Sequence, residues 1–175
     1  MTIIWVSNSF GYYLISYQLK YIKGDIYLNG IVSSVSELAA DILSIVFISR
    51  IGIRMIFQLS FFTSFVGMLS FLIYPGDDIY MLAFFVLGTK FGISCAFNTA
   101  YCGNNLVFPV TIVSTSYGIC NMFARLSTIT APYVAEITPE WIPKAAFCAL
   151  IATAFVASCV LRTSDEEEKI KVNDN

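Results

Sequence analysis

Six apolar stretches, each close to the length of a membrane crossing and separated only by short turns, run through this chain of 175 residues. An α-helix rises about 1.5 Å per residue, so about 20 apolar residues carry it across the hydrocarbon core of a bilayer. The pattern predicts helices over 2–19, 26–48, 55–74, 79–105, 113–136 and 142–161, joined at "KYIKGD", "SRIGIR", "PGDD", "FPVT" and "TPEWIP". Hydrophobic residues make up 57% of the chain and charged residues 13%. A water-soluble domain of this size has too few polar residues to cover so much apolar surface, so the expected solvent is lipid. The predicted fold is all-α: a polytopic transmembrane six-helix bundle over 1–161. Connectors this short leave no room for a second, soluble domain. From Arg162 the sequence turns to "RTSDEEEKIKVNDN", which has nothing to bury and reads as a disordered, acidic tail over 162–175.

Several functional classes drop out on composition. The chain has no histidine, which removes the usual general base and the commonest metal ligand. Its five cysteines, Cys95, Cys102, Cys120, Cys148 and Cys159, lie in apolar surroundings without C-x-x-C spacing and read as small core residues. No serine or cysteine has an evident base beside it, so an enzyme is not expected, nor is a metal or a cofactor. A net charge of −2 without a basic tract gives no sign of a nucleic-acid partner. Met1 runs straight into "TIIWVSNSFGYYLISY" with no basic region, so no cleavable signal peptide is expected. No repeated filter-like loop suggests a channel. Lysine and arginine in the short loops fall as Arg50, Arg54, Arg162, Lys169 and Lys171 on one side and Lys20, Lys23 and Lys144 on the other. By the positive-inside rule, both termini are expected in the cytosol.

Four of the six stretches carry a polar face. In the second, Ser33, Glu37, Asp41 and Ser44 recur at spacings of four, four and three, which share one side of a helix. Lys90, Ser94, Phe97 and Tyr101 form a stripe on the fourth. On the fifth, Ser114, Gly118, Asn121, Arg125, Thr128 and Pro132 do the same, and the first offers Asn8, Ser9, Tyr12, Tyr13 and Ser16. The third has only small hydroxyls and Gln58 between Arg54 and Asp77, and the sixth, "AAFCALIATAFVASCVL", has nothing ionisable. Pro132 is expected to kink the fifth helix by removing a backbone hydrogen bond, and Gly88 and Gly92 form a G-x-x-x-G around Lys90.

Lys90 has no acidic residue within ten positions on either side. With Glu37 and Arg125 it falls near mid-span, where a charge costs about 2.5–3.5 kcal/mol on insertion scales. Such groups must face partners or water rather than acyl chains. Two acids, Glu37 and Asp41, and two bases, Lys90 and Arg125, balance at similar depth. They form either an ion-pair cluster that fixes helix packing or a polar cavity for a solute.

The same stretches resemble a family. "WVSNSFGYYLIS", "IYLNGIVSSVSELAADIL", "LGTKFGISCAFNTAY" and "FPVTIVSTSYGICNMFARLSTITAPYVAEI" resemble the seventh, eighth, tenth and eleventh helices of major facilitator superfamily transporters. They are most similar to the organic cation and anion transporter group. The resemblance covers nearly all of 1–161. It implies that the third and sixth helices are peripheral, and that Lys90 and Arg125 bind a substrate's negative group; in a carrier, Glu37 and Asp41 would tune that charge or replace it by protonation. Tyr12, Tyr13 and Phe97 would be aromatic walls suited to a flat organic ion. It also matches Arg50, Gly52 and Arg54 to the superfamily's loop motif, where Ser49 and Ile53 replace an acid and an arginine. Leu106 and Val113 stand where the family usually has a glutamate and an arginine, which weakens the expected switching cycle.

A carrier of this superfamily has two six-helix halves with the substrate between them. The resemblance therefore implies a partner: a missing N-terminal half in another polypeptide, a second copy of the chain, or a longer product from which this one is truncated. The expectation is half of a plasma-membrane carrier moving a small organic ion, preferably an anion, by alternating access. The alternative is a membrane assembly subunit or truncated product that does not transport.

Overall fold

The computed structural model describes residues 1–18, 26–74, 76, 78–139 and 141–161, and every regular element among them is an α-helix. In chain order these are α1 (Thr2–Gln18), α2 (Ile26–Ile51), α3 (Ile53–Ile73), α4 (Ile79–Val107), α5 (Val113–Thr128), α6 (Ala131–Ala135) and α7 (Trp141–Val160). Lys20, Lys23, Arg162, Lys169 and Lys171, on which the expected orientation rests, lie outside the described residues, as does the 162–175 tail.

Three helices among the described residues are long and apolar enough to cross a membrane: α3, the Tyr80–Val107 part of α4, and α7. Large apolar side chains also stand uncovered on the helices with polar faces, including Ile31, Val35, Leu38 and Ile45 on α2 and Met122 and Leu126 on α5. Water would penalise that exposure and acyl chains would not. The polar residues of α1, α2, α4 and α5 instead turn toward one another.

α1 and α4 pack against each other at the centre. α2 lies on the α4 flank and α5 on the α1 flank, while α3 and α7 pair with each other behind them. The core under this arrangement is aromatic and aliphatic, with Trp5, Phe57, Phe61, Phe147 and Ile151 fully buried. In lipid the hydrophobic effect does not drive helices together, so this core contributes through close van der Waals packing.

Two local features depart from the sequence expectation. Residues 49–54 were expected to form a turn, but α2 continues through Ile51 and α3 starts at Ile53, leaving Gly52 alone between them. Gly52 has φ +84°, a left-handed conformation that side chains with a Cβ rarely adopt. Arg54 consequently sits in the first turn of α3, where its Nη2 donates to the Cys159 carbonyl at 2.5 Å and ties α3 to the end of α7. Arg50 is exposed in the last turn of α2.

The second departure is at Pro132, where a break replaces the expected kink. α5 ends at Thr128 and α6 starts at Ala131, with Pro132 in its first turn. Proline has no N–H to offer the carbonyl four residues back, so the ladder cannot continue through it. Nearby hydroxyls take up local carbonyls: Ser127 Oγ and Thr128 Oγ1 donate to Ala124, and Thr130 Oγ1 donates to Ser127. Short local bonds of this kind favour the interruption.

The G-x-x-x-G repeat acts through only one of its glycines. A Cβ on Gly92 would lie 2.6 Å from Ser64 N and 2.7 Å from Ser60 O, whereas one on Gly88 would meet nothing within 4 Å. The second close approach comes from the facing helix, where a Cβ on Gly67 would lie 2.6 Å from Thr89 Oγ1 and 2.8 Å from its backbone nitrogen. Gly92→Leu is therefore expected to destabilise the α3–α4 pair by roughly 1–3 kcal/mol, because backbone cannot move aside. Gly88→Leu should be neutral. Thermal unfolding of the detergent-solubilised protein checks this, and equal losses for the two variants would refute it.

Candidate functional site: a charged cleft between four helices

Each polar residue singled out on α1 has a partner on another helix or on its own turn. Asn8 Nδ2 donates to the Ala96 carbonyl of α4 at 3.0 Å, and the Ser9 and Thr128 hydroxyls meet at 2.8 Å between α1 and α5. Tyr12 donates to Glu37 Oε2 at 2.9 Å, Tyr13 accepts from Arg125 Nη1 at 3.2 Å, and Ser16 donates to the Tyr12 carbonyl at 2.7 Å. α1 thus joins α2, α4 and α5 through its polar stripe. On the other flank, Asn98 Nδ2 of α4 donates to Ser44 Oγ of α2 at 2.6 Å.

Lys90 is 3% exposed, and its ammonium is fully occupied. Nζ lies 2.9 Å from Glu37 Oε1, donates to Ser16 Oγ, and stands 4.2 Å from the centre of the Tyr12 ring. Both Glu37 oxygens are used, one by Lys90 and the other by Tyr12. A buried charge is tolerable when it is paired and its protons are satisfied. The lone lysine of the fourth apolar stretch therefore finds its counter-ion across a helix boundary.

Above this pair lies a cleft of about 290 Å³ lined by Tyr12, Tyr13, Glu37, Asp41, Ser94, Phe97, Tyr101 and Arg125. Six of the sequence-selected residues thus meet around one space, and Lys90 sits beneath it behind Tyr12 and Glu37. Arg50, Gly52 and Arg54 are elsewhere, at the α2–α3 junction. Aromatic rings form a continuous wall, with centroid separations of 5.5 Å for Tyr12–Phe97, 5.2 Å for Phe97–Tyr101 and 5.6 Å for Tyr101–Tyr117. Ser94 and Tyr101 were visible on the α4 stripe without being selected as candidates. Ser16, which receives the Lys90 proton bond, likewise lay on the α1 face.

The charges of the cleft divide into two kinds. Glu37 and Lys90 neutralise each other. Arg125 is exposed and bonded to the Tyr13 hydroxyl, and among the described residues it has no carboxylate partner. Asp41 is exposed too, and its carboxylate has no ion-pair or hydrogen-bond partner among them. The site can therefore offer a guanidinium, a carboxylate and an aromatic face to a solute. No group of three His, Cys, Asp or Glu that could hold a metal occurs among the described residues.

Membrane-length apolar helices and a cleft that gathers charge between polar helix faces occur together in this chain. Proteins named as transporters are among its relatives. The chain is 30% identical over 139 residues, 79% of its length, to a Caenorhabditis elegans protein whose name marks it as a candidate transporter. It is 25% identical over 130 residues, 74% of its length, to human organic cation/carnitine transporter 2. With mouse solute carrier family 22 member 4 it shares 28% identity over 130 residues, again 74% of the chain. The matches cover 28%, 23% and 24% of those proteins, so the chain spans about a quarter of the length of its curated relatives. No family model matches it.

Proposed function

We propose that this chain supplies one side of the solute-binding cleft of a membrane carrier, in the manner of the second six-helix half of a major facilitator transporter. The reading is supported most directly by the cleft itself, where polar faces of α1, α2, α4 and α5 meet while the plain helices α3 and α7 stay behind. In this proposal the bound solute is a small organic ion, preferably an anion. Its negative group lies on Arg125 and its body against Tyr12, Phe97 and Tyr101. Transport proceeds by alternating access against a second half, supplied by another polypeptide or by a second copy. The protein sits in the plasma membrane with both termini in the cytosol.

One observation favours a second reading of the preferred charge. Asp41 is, like Arg125, exposed and without an ion-pair partner among the described residues, and the human relative is named for organic cations and carnitine. The same cleft could then take a cation on Asp41. Equilibrium binding of labelled benzoate and labelled benzyltrimethylammonium to the purified chain in liposomes separates these readings. Saturable benzoate binding that the cation does not inhibit is the expected result. Saturable binding of the cation alone would transfer the role to Asp41, and no binding of either would favour a non-transporting subunit.

A further inference from the structure

Hydroxyls inside the helices of this protein commonly donate back to the carbonyl three or four residues earlier, as Ser44 does to Asp41 and Ser158 to Phe155. Thr89 does so to Phe85 at 2.8 Å and Thr99 to Cys95 at 2.7 Å, on either side of Ser94 in the same helix. Ser16, Ser34 and Thr63 follow the same habit elsewhere. This local bond is the default for a serine or threonine that faces apolar surroundings.

Ser94 departs from it. Its side chain is 4% exposed, its Oγ has no hydrogen-bond partner, and it lines the cleft. The Lys90 and Phe91 carbonyls are the acceptors it would use, but Ser94 Oγ bonds neither. A buried polar group left unsatisfied is unfavourable, and native structures hold few of them. Ser94 sits on α4 between Lys90, whose ammonium is committed to Glu37 and Ser16, and the Phe97 ring three residues on. It therefore offers a hydrogen bond from the wall of the cleft at a place where the nearest charge is unavailable.

We infer that Ser94 is a specificity-determining residue of the cleft, hydrogen-bonding a neutral polar substituent of an organic ion whose charged group is held by Arg125. This inference rests on the reading of the cleft as a solute site. The ligand class it selects is a flat organic ion that carries, besides its charge, a hydroxyl, carbonyl or comparable group on its body. A ligand without that group leaves the serine unpaired, and sites built around such a bond discriminate against the bare analogue.

The test compares binding of benzoate with that of 2-, 3- and 4-hydroxybenzoate to the purified chain in liposomes. The wild type is expected to prefer at least one hydroxy isomer over benzoate by about tenfold, the value of one well-made neutral hydrogen bond. Ser94→Ala should erase that preference while leaving benzoate affinity unchanged, and Ser94→Thr, which keeps a hydroxyl, should retain it. Because the serine has no protein partner, Ser94→Ala should not lower the unfolding temperature. A preference that survives in Ser94→Ala, no preference in the wild type, or equal loss of benzoate and its hydroxy isomers would each overturn the inference while leaving the cleft reading intact. Failure of the wild type to bind any of the four would remove the anion reading of the cleft and this inference together. Arg125→Ala serves as the control, losing all four ligands at once.

Discussion

Glu37→Ala is expected to destabilise the protein by roughly 3–5 kcal/mol, the cost of leaving one member of a buried ion pair alone. The pair is asymmetric. The Lys90 side chain is 4% exposed and that of Glu37 is 27% exposed. A stranded ammonium at Lys90 has little access to water, whereas a stranded carboxylate at Glu37 can hydrate through the cleft and keeps its Tyr12 bond. Lys90→Met should therefore be the milder change. The double variant Glu37→Leu/Lys90→Met removes both charges and should lie closer to the wild type than Glu37→Ala does. A double-mutant cycle of chemical unfolding in detergent measures the coupling. Strict additivity of the single changes would mean that the pair contributes no coupling.

Arg125→Ala is expected to weaken binding of an organic anion by about ten- to hundredfold, matching the loss of one charge-assisted hydrogen bond. Arg125→Lys should retain part of the affinity, because an ammonium keeps the charge but loses the planar fork. Stability should hardly change in either, since the guanidinium is exposed and its one contact is with the Tyr13 hydroxyl. The contrast with Glu37 and Lys90 is one of placement: one charged pair is held inside the bundle, and Arg125 and Asp41 stand exposed at the cleft. Equilibrium binding of benzoate to the wild type and both variants checks the expectation. Undiminished affinity in Arg125→Ala would sink it.

The helical faces were legible because side chains at intervals of three and four share a side, and that periodicity survives without any knowledge of neighbours. Glu37 with Asp41 on α2, Lys90 with Phe97 on α4, and Arg125 on α5 were all readable in this way. What the spacing lacked was the relation between helices. It gave two acids and two bases, and the structure pairs Lys90 with Glu37 while leaving Arg125 with Tyr13. That choice depends on relative rotation and depth, which a single helix does not encode. Close packing was only partly legible. The motif suggested Gly88 and Gly92 together, but the contacts depend on which side of α4 faces α3, and only Gly92 is on it. Ser94 stood on the predicted stripe, yet its importance lies in a bond it does not make, which no sequence pattern reports.

The interruption before Pro132 has an electrostatic consequence. The peptide dipoles of a helix sum to a partial negative charge at its C-terminal end, favourable to a nearby cation by about 0.3–1 kcal/mol and up to about 2 kcal/mol when partly buried. Arg125 lies in the last turn of α5 only because that helix stops at Thr128. A continuous helix through 136 would have stranded the guanidinium in mid-cylinder, where no such end field reaches it. The proline thus leaves a diffuse counter-charge from the backbone beside the guanidinium, without a carboxylate among the described residues to pair it.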